Sequence, residues 1–242
     1  AAFVCEAPDS ASGAVLTRVA TIDLCSELGL EVPTDEQIQA FYLAVWEGDA
    51  SAVEVMLRNN IRLVNIDLDD NESPLFTAIH QGYDQIVKLL LAAGANPDKV
   101  NAWGQTPLHE AREKDFVQIM QLLLSGGADP NKGDSDGRTP LFNAALYGQD
   151  RIVKLLLDSG ADKNKAQKGG WTPLHIAARN GHDACVKLLL DSGANVNKRT
   201  ENEYDESYNE SEDESEYESE DELDNKSDNE TPLMIAAEKG YV

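Results

Sequence analysis

The chain contains four histidines and three cysteines, whose side chains often bind metal ions or act in catalysis. They are His80, His109, His175 and His182 together with Cys5, Cys25 and Cys185. A metal or catalytic site would need Cys, Asp or Glu side chains at ligand spacing from these histidines, and no such cluster is apparent. The glycines form neither a G-x-x-x-x-G-K nor a G-x-G-x-x-G phosphate-binding loop. We therefore predict no catalytic residue, no metal and no cofactor, so the protein is not expected to be an enzyme.

The histidines instead belong to a repeated pattern. A phrase that reads Thr-Pro-Leu-His or a close variant begins at Ser73, Thr106, Thr139, Thr172 and Thr231. The first four copies are 33 residues apart, and the last step is 59 residues, which exceeds that period by 26. A fixed period of this length indicates supersecondary units that stack on one another.

Each copy of the phrase predicts the start of a helix. The Thr side chain can cap the first turn, and Pro at the first helical position has no amide hydrogen to leave unpaired. A second helix is predicted by apolar runs such as Ile86–Leu91, which end in Gly-Ala. Only Gly or Asn stands two residues before each phrase, which indicates a turn with positive φ. Cys185 replaces a branched-chain residue in such a run, so we expect it to be a small core residue.

On these residues the sequence resembles the ankyrin repeat family, whose pattern is T-P-L-H-x-A-A followed by G-A at a 33-residue period. The resemblance covers about residues 35–242 and implies an all-α solenoid of helix–turn–helix–β-hairpin units. It also implies that His109 and His175 support local hydrogen bonding. We assign units to about 35–67, 68–100, 101–133, 134–166, 167–199 and 226–242, the first degenerate and the last truncated.

Two segments fall outside the repeats. Residues 1–34 are predicted to be a flexible lead-in and a helix from Ala14 to Leu28, which we interpret as a cap on the first repeat. The alternative is a separate docking helix. The 26 additional residues, about 200–225, are predicted to form a disordered acidic insertion at a hairpin tip. Residues 201–230 contain 16 Asp or Glu against one Lys.

The overall composition excludes several classes of partner. A net charge of −24 disfavours nucleic acids, and no apolar run is long enough to cross a membrane. The widely spaced cysteines fit a reducing compartment, so we expect a cytoplasmic monomer. The nucleus, or a host cytosol for a bacterial effector, is the alternative. Because the sequence lacks an initiating Met and stops after the first helix of a repeat, we expect it to be part of a longer chain.

The resemblance implies that the hairpin tips and the first helices line a concave groove that binds a partner protein or peptide. The tips carry Trp103, Gln105, Asp134, Asp136, Arg138, Lys168 and Trp171. The first helices carry Glu110, Arg112, Asn143, Tyr147, Arg179 and Asn180. Trp, Tyr and Arg commonly dominate binding energy. Trp171 has a competing interpretation, in which it only covers its own hairpin.

The acidic insertion leaves other hypotheses open. It could capture basic proteins by charge, with the repeats as a mount. Five serines in the insertion or just after it have an acidic residue three positions later, which resembles the sites of acidophilic kinases. They are Ser207, Ser211, Ser215, Ser219 and Ser227. A third hypothesis makes the chain the targeting domain of a larger enzyme or effector.

Overall fold

The computed structural model describes residues 33–66, 73–111, 116–200 and 230–238. These residues form eleven α-helices and one short 3₁₀ helix, and they contain no β-strand. The chain divides between Asp129 and Pro130 into two compact units. The predicted capping helix at 14–28, the acidic insertion beyond Thr200 and the five predicted phosphorylation sites lie outside the described residues.

The first unit contains three repeats, each with a first and a second helix. Its helices are α1 (Asp35–Glu47), α2 (Ala50–Asn59), α3 (Pro74–Gln81), α4 (Asp84–Ala92), α5 (Pro107–Glu110) and α6 (Val117–Ser125), with the 3₁₀ helix at Ile61–Asn65. The first helices α1, α3 and α5 pack side by side in one layer. The second helices α2, α4 and α6 form the other layer.

The second unit repeats this arrangement. Its helices are α7 (Pro140–Leu146), α8 (Asp150–Asp158), α9 (Pro173–Arg179), α10 (Asp183–Asp191) and α11 (Pro232–Glu238). The first helices α7, α9 and α11 pack in sequence, and the second helices α8 and α10 pack against each other. The all-α repeat solenoid predicted from the sequence is confirmed.

The core lies between the two helical layers of each unit. Among the fully buried side chains are Leu75, Ile86, Leu90, Leu108 and Leu123 in the first unit, and Leu141, Ile152, Leu156 and Leu189 in the second. Burying one such side chain contributes about 1.5–3 kcal/mol. The paired alanines Ala144-Ala145 and Ala177-Ala178 are also buried, and their small side chains let neighbouring helices approach closely. The apolar positions of the repeat therefore form the core.

The phrase caps its helix through Thr139 and Thr172, as the sequence predicts, whereas the side chain of Ser73 makes no capping hydrogen bond. The hydroxyl oxygen of Thr139 accepts a hydrogen bond from the backbone N–H of Phe142 at 3.2 Å. In two repeats the histidine completes a capping box, because its Nδ1 accepts from the backbone N–H of the threonine three residues earlier. This distance is 3.1 Å both for Thr106 with His109 and for Thr172 with His175. The threonine and the histidine therefore satisfy amides at the helix start that would otherwise be buried without partners.

Side chains of Asn or Asp join consecutive repeats at the loop after each second helix. In this Asx ladder, a side-chain oxygen accepts a hydrogen bond from a backbone N–H 31 residues further along the chain. The four acceptors are Asn65, Asp98, Asn131 and Asn164, and their distances lie between 2.6 and 3.0 Å. Each bond contributes about 0.5–1.5 kcal/mol and holds one repeat in register with the next.

Candidate functional site

The hairpin tip of the first repeat in the second unit is a tight turn. The N–H of Gly137 donates to the carbonyl of Asp134, and the N–H of Asp134 donates to the carbonyl of Arg138, both at 2.9 Å. Gly137 has a φ of 77°, as the Gly or Asn before each phrase predicts. The Oδ1 of Asp134 also accepts from the backbone N–H groups of Asp136 and Arg138. This tip therefore presents Asp136 and Arg138 from an ordered backbone.

The tip residues carry opposite charges and remain accessible to solvent. The Nη2 of Arg138 lies 3.5 Å from the Oδ2 of Asp136, with 44% and 58% of the two side chains exposed. A surface ion pair of this kind contributes only about 0–1 kcal/mol, so both groups can rearrange around a ligand at little cost.

Consecutive tips of the second unit are joined through their backbones. The N–H of Lys168 donates to the carbonyl of Asp136 at 2.9 Å. The second tip is closed like the first, by a hydrogen bond from the N–H of Gln167 to the carbonyl of Trp171. Arg138 and Lys168, both exposed, therefore project from two adjacent and connected turns.

Trp171 connects its tip to the first helix that follows it. Its indole ring is half-buried, and the Cζ atom of Arg179 lies 5.2 Å from the ring centroid. The imidazole of His175, which is fully buried, has its centroid 5.7 Å from the same ring. A cation–π contact of this type orients an Arg side chain that would otherwise be mobile. The ring of Trp171 therefore packs against the helix that follows its tip and positions Arg179.

The first helices of the second unit place the other predicted residues in different environments. Tyr147 is 55% exposed, whereas Asn143 is only 5% exposed. The Nδ2 of Asn180 donates to the carbonyl oxygen of Leu146 at 3.0 Å, and the Nε2 of His182 donates to the same oxygen at 3.0 Å. Tyr147 is therefore accessible to a ligand, while Asn180 stabilises the end of α7.

In the first unit, one predicted residue is clearly accessible. The side chain of Trp103 is 71% exposed, and its backbone N–H donates to the Oδ1 of Asn101 at 3.0 Å. The Oε1 of Gln105 accepts from the Nδ2 of Asn101, so its side chain belongs to the same turn. The Oε1 of Glu110 lies 2.9 Å from the Nδ1 of His80, and Glu110 is mostly buried. Arg112 lies outside the described residues.

Two groups of exposed apolar residues were not predicted. Leu43 and Trp46 on α1 are 55% and 58% exposed, and Leu233 and Met234 on α11 are each 56% exposed. Leu43 and Met234 occupy the fourth place of the phrase, where Phe142 is buried. The same place of the repeat is therefore exposed in α1 and α11 but buried in α7.

Charge is distributed unevenly along the chain. Residues 33–129 contain six Lys or Arg against fifteen Asp or Glu, a net charge of −9. Residues 130–200 contain eleven Lys or Arg against seven Asp or Glu, a net charge of +4. Residues 130–200 are therefore positively charged in a chain whose total is −24.

Buried ionisable groups have structural roles. Burial lowers the pKa of His175, outweighing the backbone hydrogen bonds that raise it. Burial, with a smaller contribution from the charge of Asp150, raises the pKa of Cys185 to about 11. A protonated, fully buried thiol is a poor nucleophile, and a neutral buried imidazole cannot reach a substrate. The expectation that Cys185 is a core residue is confirmed.

Within the described part of the chain, no group of three His, Cys, Asp or Glu side chains could hold a metal ion. No helix described there is long and apolar enough to cross a membrane. A family model for ankyrin repeats, which covers three copies, matches residues 41–134 and 111–200. No curated protein matches the sequence.

Proposed function

The chain belongs to the ankyrin repeat family, and we propose that it is a non-catalytic module that binds a partner protein or peptide through its hairpin tips and first helices. Ankyrin repeat domains in general bind other proteins and are typically not catalytic. Because one fold can host many functions, the proposal depends on the residues of the surface.

The proposal rests on the exposure and contacts of Arg138, Tyr147, Trp171 and Arg179 in the second unit. Tyr147 is 55% exposed, and Arg179 lies over the ring of Trp171 at 5.2 Å. Tyr, Trp and Arg are the residue types most often found at binding hot spots. Their positions on hydrogen-bonded turns and short helices reduce the entropy lost when a ligand binds.

The first unit offers a second binding residue, Trp103. An indole that is 71% exposed contributes little to folding, and its turn is held by the side chain of Asn101. We propose that Trp103 contacts a partner, whereas Gln105 and Glu110 mainly stabilise the unit through Asn101 and His80.

The test is affinity capture from a cell extract with Trp103→Ala and Tyr147→Ala, separately and together. Leu190→Ala is a control, because Leu190 is 43% exposed on a second helix, away from the tips. A hot-spot residue contributes about 2 kcal/mol, so we expect binding to weaken by about 30-fold. Unchanged partners and affinities in the double variant would overturn the proposal.

We also propose that the protein works as a monomer in the cytoplasm. The buried thiol of Cys185 and the absence of a paired cysteine motif in the sequence support a reducing compartment. Light scattering of the purified chain should give the mass of one copy. A mass of two copies at micromolar concentration would contradict this.

A further inference from the structure

We infer that the second unit binds an acidic, extended segment of a partner protein through Arg138, Lys168 and Arg179, with Trp171 and Tyr147 as apolar contacts. This inference rests on the proposed function, because it assigns a ligand class to the same surface. We call these five residues the cationic surface.

The charge of the cationic surface is opposite to that of the chain. Its three basic side chains belong to a region with a net charge of +4 in a protein with a net charge of −24. Arg138 and Lys168 are exposed, and Arg179 is partly exposed. Asp136 is paired with Arg138 at 3.5 Å, and the Oδ1 of Asp134 accepts two backbone N–H groups in its own turn. Three basic side chains against these two carboxylates leave a net charge of +1 at this surface.

The arrangement of the charges fits a linear ligand. The hydrogen bond from Lys168 N–H to the Asp136 carbonyl places Arg138 and Lys168 on adjacent turns. Trp171 closes the second of these turns and lies against Arg179. The basic groups thus follow one another from tip to tip and on to α9, as successive carboxylates would along an extended chain.

The chemistry of the side chains favours carboxylates. A guanidinium presents a planar set of donors that pairs with a carboxylate through two parallel hydrogen bonds. Arg179 is already oriented by the indole of Trp171, so less side-chain entropy is lost when it binds. Tyr147 and Trp171 add apolar area, so a peptide with one aromatic residue among its acidic residues should bind best.

The test measures fluorescence anisotropy of the full chain with a labelled Glu/Asp-rich peptide of about 15 residues that has one central Phe, long enough to span several repeats at about 3.3 Å per residue. A Lys-rich peptide with the same Phe is the comparison. The charge-reversal variant is Arg138→Glu, Lys168→Glu and Arg179→Glu. Its matched control is Arg151→Glu, Lys154→Glu and Lys187→Glu, which makes the same charge change at exposed sites on α8 and α10. Thermal melts establish that both variants are folded.

We expect the acidic peptide to bind, with an affinity that falls as salt is added. The charge-reversal variant should bind at least roughly tenfold more weakly than the control variant, because like charges now face the ligand. If both variants lose the same affinity for the acidic peptide, only the net charge of the protein matters and the inference is overturned.

Other outcomes distinguish the inference from the proposed function. If the Lys-rich peptide binds instead, and Tyr147→Ala weakens it, the surface is a binding site but its ligand is not acidic. If single-stranded DNA competes as well as the peptide, the surface is a general anion site and the inference fails. If binding appears only after residues 201–229 are deleted, the acidic segment of the chain itself is the occupant and the inference fails. If neither peptide binds and Tyr147→Ala changes no captured partner, both the inference and the proposed function fail.

Discussion

The Nε2–H of His175 donates a hydrogen bond to the carbonyl oxygen of Glu230, 3.2 Å away and 55 residues further along the chain. The other ring nitrogen, Nδ1, accepts from the backbone N–H of Thr172, which requires the Nε2–H tautomer. Thr200 meets Glu230 in the same place, since the N–H of Thr200 donates to the Glu230 carbonyl at 3.1 Å. The histidine therefore joins the start of its own helix to Glu230, which pairs with Thr200 on the other side of 201–229.

We predict that His175→Ala lowers the free energy of unfolding by about 2–4 kcal/mol. The change leaves a cavity and removes the partner of the buried N–H of Thr172. His175→Phe should cost less, because Phe142 fills the same place of the phrase. Urea denaturation measures both, with His80→Ala as a control at a side chain that is 57% exposed. If His175→Ala and His80→Ala lower the free energy of unfolding equally, the structural role assigned to His175 is wrong.

The stability of the protein should depend on pH through His175. Burial lowers its pKa below the ordinary value of 6.5, so the unfolded state takes up the proton more readily than the folded state. The contribution of this group is therefore complete above pH 6.5 and is lost as the pH falls through the folded-state pKa. Urea midpoints between pH 7.5 and 5 should fall less in His175→Phe than in the natural chain. Equal decreases of the urea midpoint with pH in both proteins would contradict this prediction.

Cys185 should resist thiol reagents in the folded protein. Its side chain is fully buried and its pKa is raised to about 11, so almost no thiolate exists at neutral pH. In the Cys5→Ser, Cys25→Ser variant, a chromogenic disulfide reagent should react only after denaturant is added. The raised pKa also implies that this group stabilises the fold below pH 9 and loses that effect as the pH rises towards 11. Fast reaction without denaturant would show that α10 opens.

Gly148→Ala should destabilise the second unit more than Gly160→Ala. Both glycines have positive φ, 68° and 86°. A Cβ at Gly148 would lie 2.6 Å from the His182 ring, whereas a Cβ at Gly160 would meet nothing within 4 Å. We expect the strained backbone conformation to lower the free energy of unfolding by about 1–2 kcal/mol at either site. At Gly148 the clash should lower it by about 1–3 kcal/mol more. Thermal unfolding of the two variants compares them, and equal melting temperatures would contradict the steric argument.

Replacing 201–229 with the three residues that form the preceding tip, Lys-Gly-Gly, should keep the second unit folded. Thr200 and Glu230 already pair as Gln167 and Trp171 do in the previous hairpin. Shortening this connection should stabilise the unit by about 1–2 kcal/mol through the entropy of loop closure. Urea denaturation measures the change. Affinity capture with the shortened chain then separates two classes of partner. Partners that still bind use the repeats, whereas basic partners that no longer bind require the insertion and its serines.

Much of the fold follows from local sequence. Thr139 caps the N–H of Phe142, and the Nδ1 of His175 caps the N–H of Thr172. Each cap joins residues three positions apart, so the order of residue types is enough to predict it. The glycine two residues before a phrase is equally local, because its positive φ depends on one residue. Repetition at 33 residues then predicts which helices are neighbours.

The candidate site was less predictable, because its residues are defined by contacts between repeats. Asn143, predicted to face a ligand, is only 5% exposed. Asn180 donates to Leu146, and Glu110 meets His80, in each case about one repeat away. A repeating pattern places two residues near each other, but packing decides whether their side chains meet or turn to solvent.

The sequence alone therefore determined the class of fold and most of the helix starts, since each depends on residue type and spacing. Only the tertiary structure decided that Arg179 lies over Trp171, that Tyr147 remains exposed and that Thr200 meets Glu230. These contacts depend on the distance between repeats and on side-chain conformations, which a linear pattern does not contain.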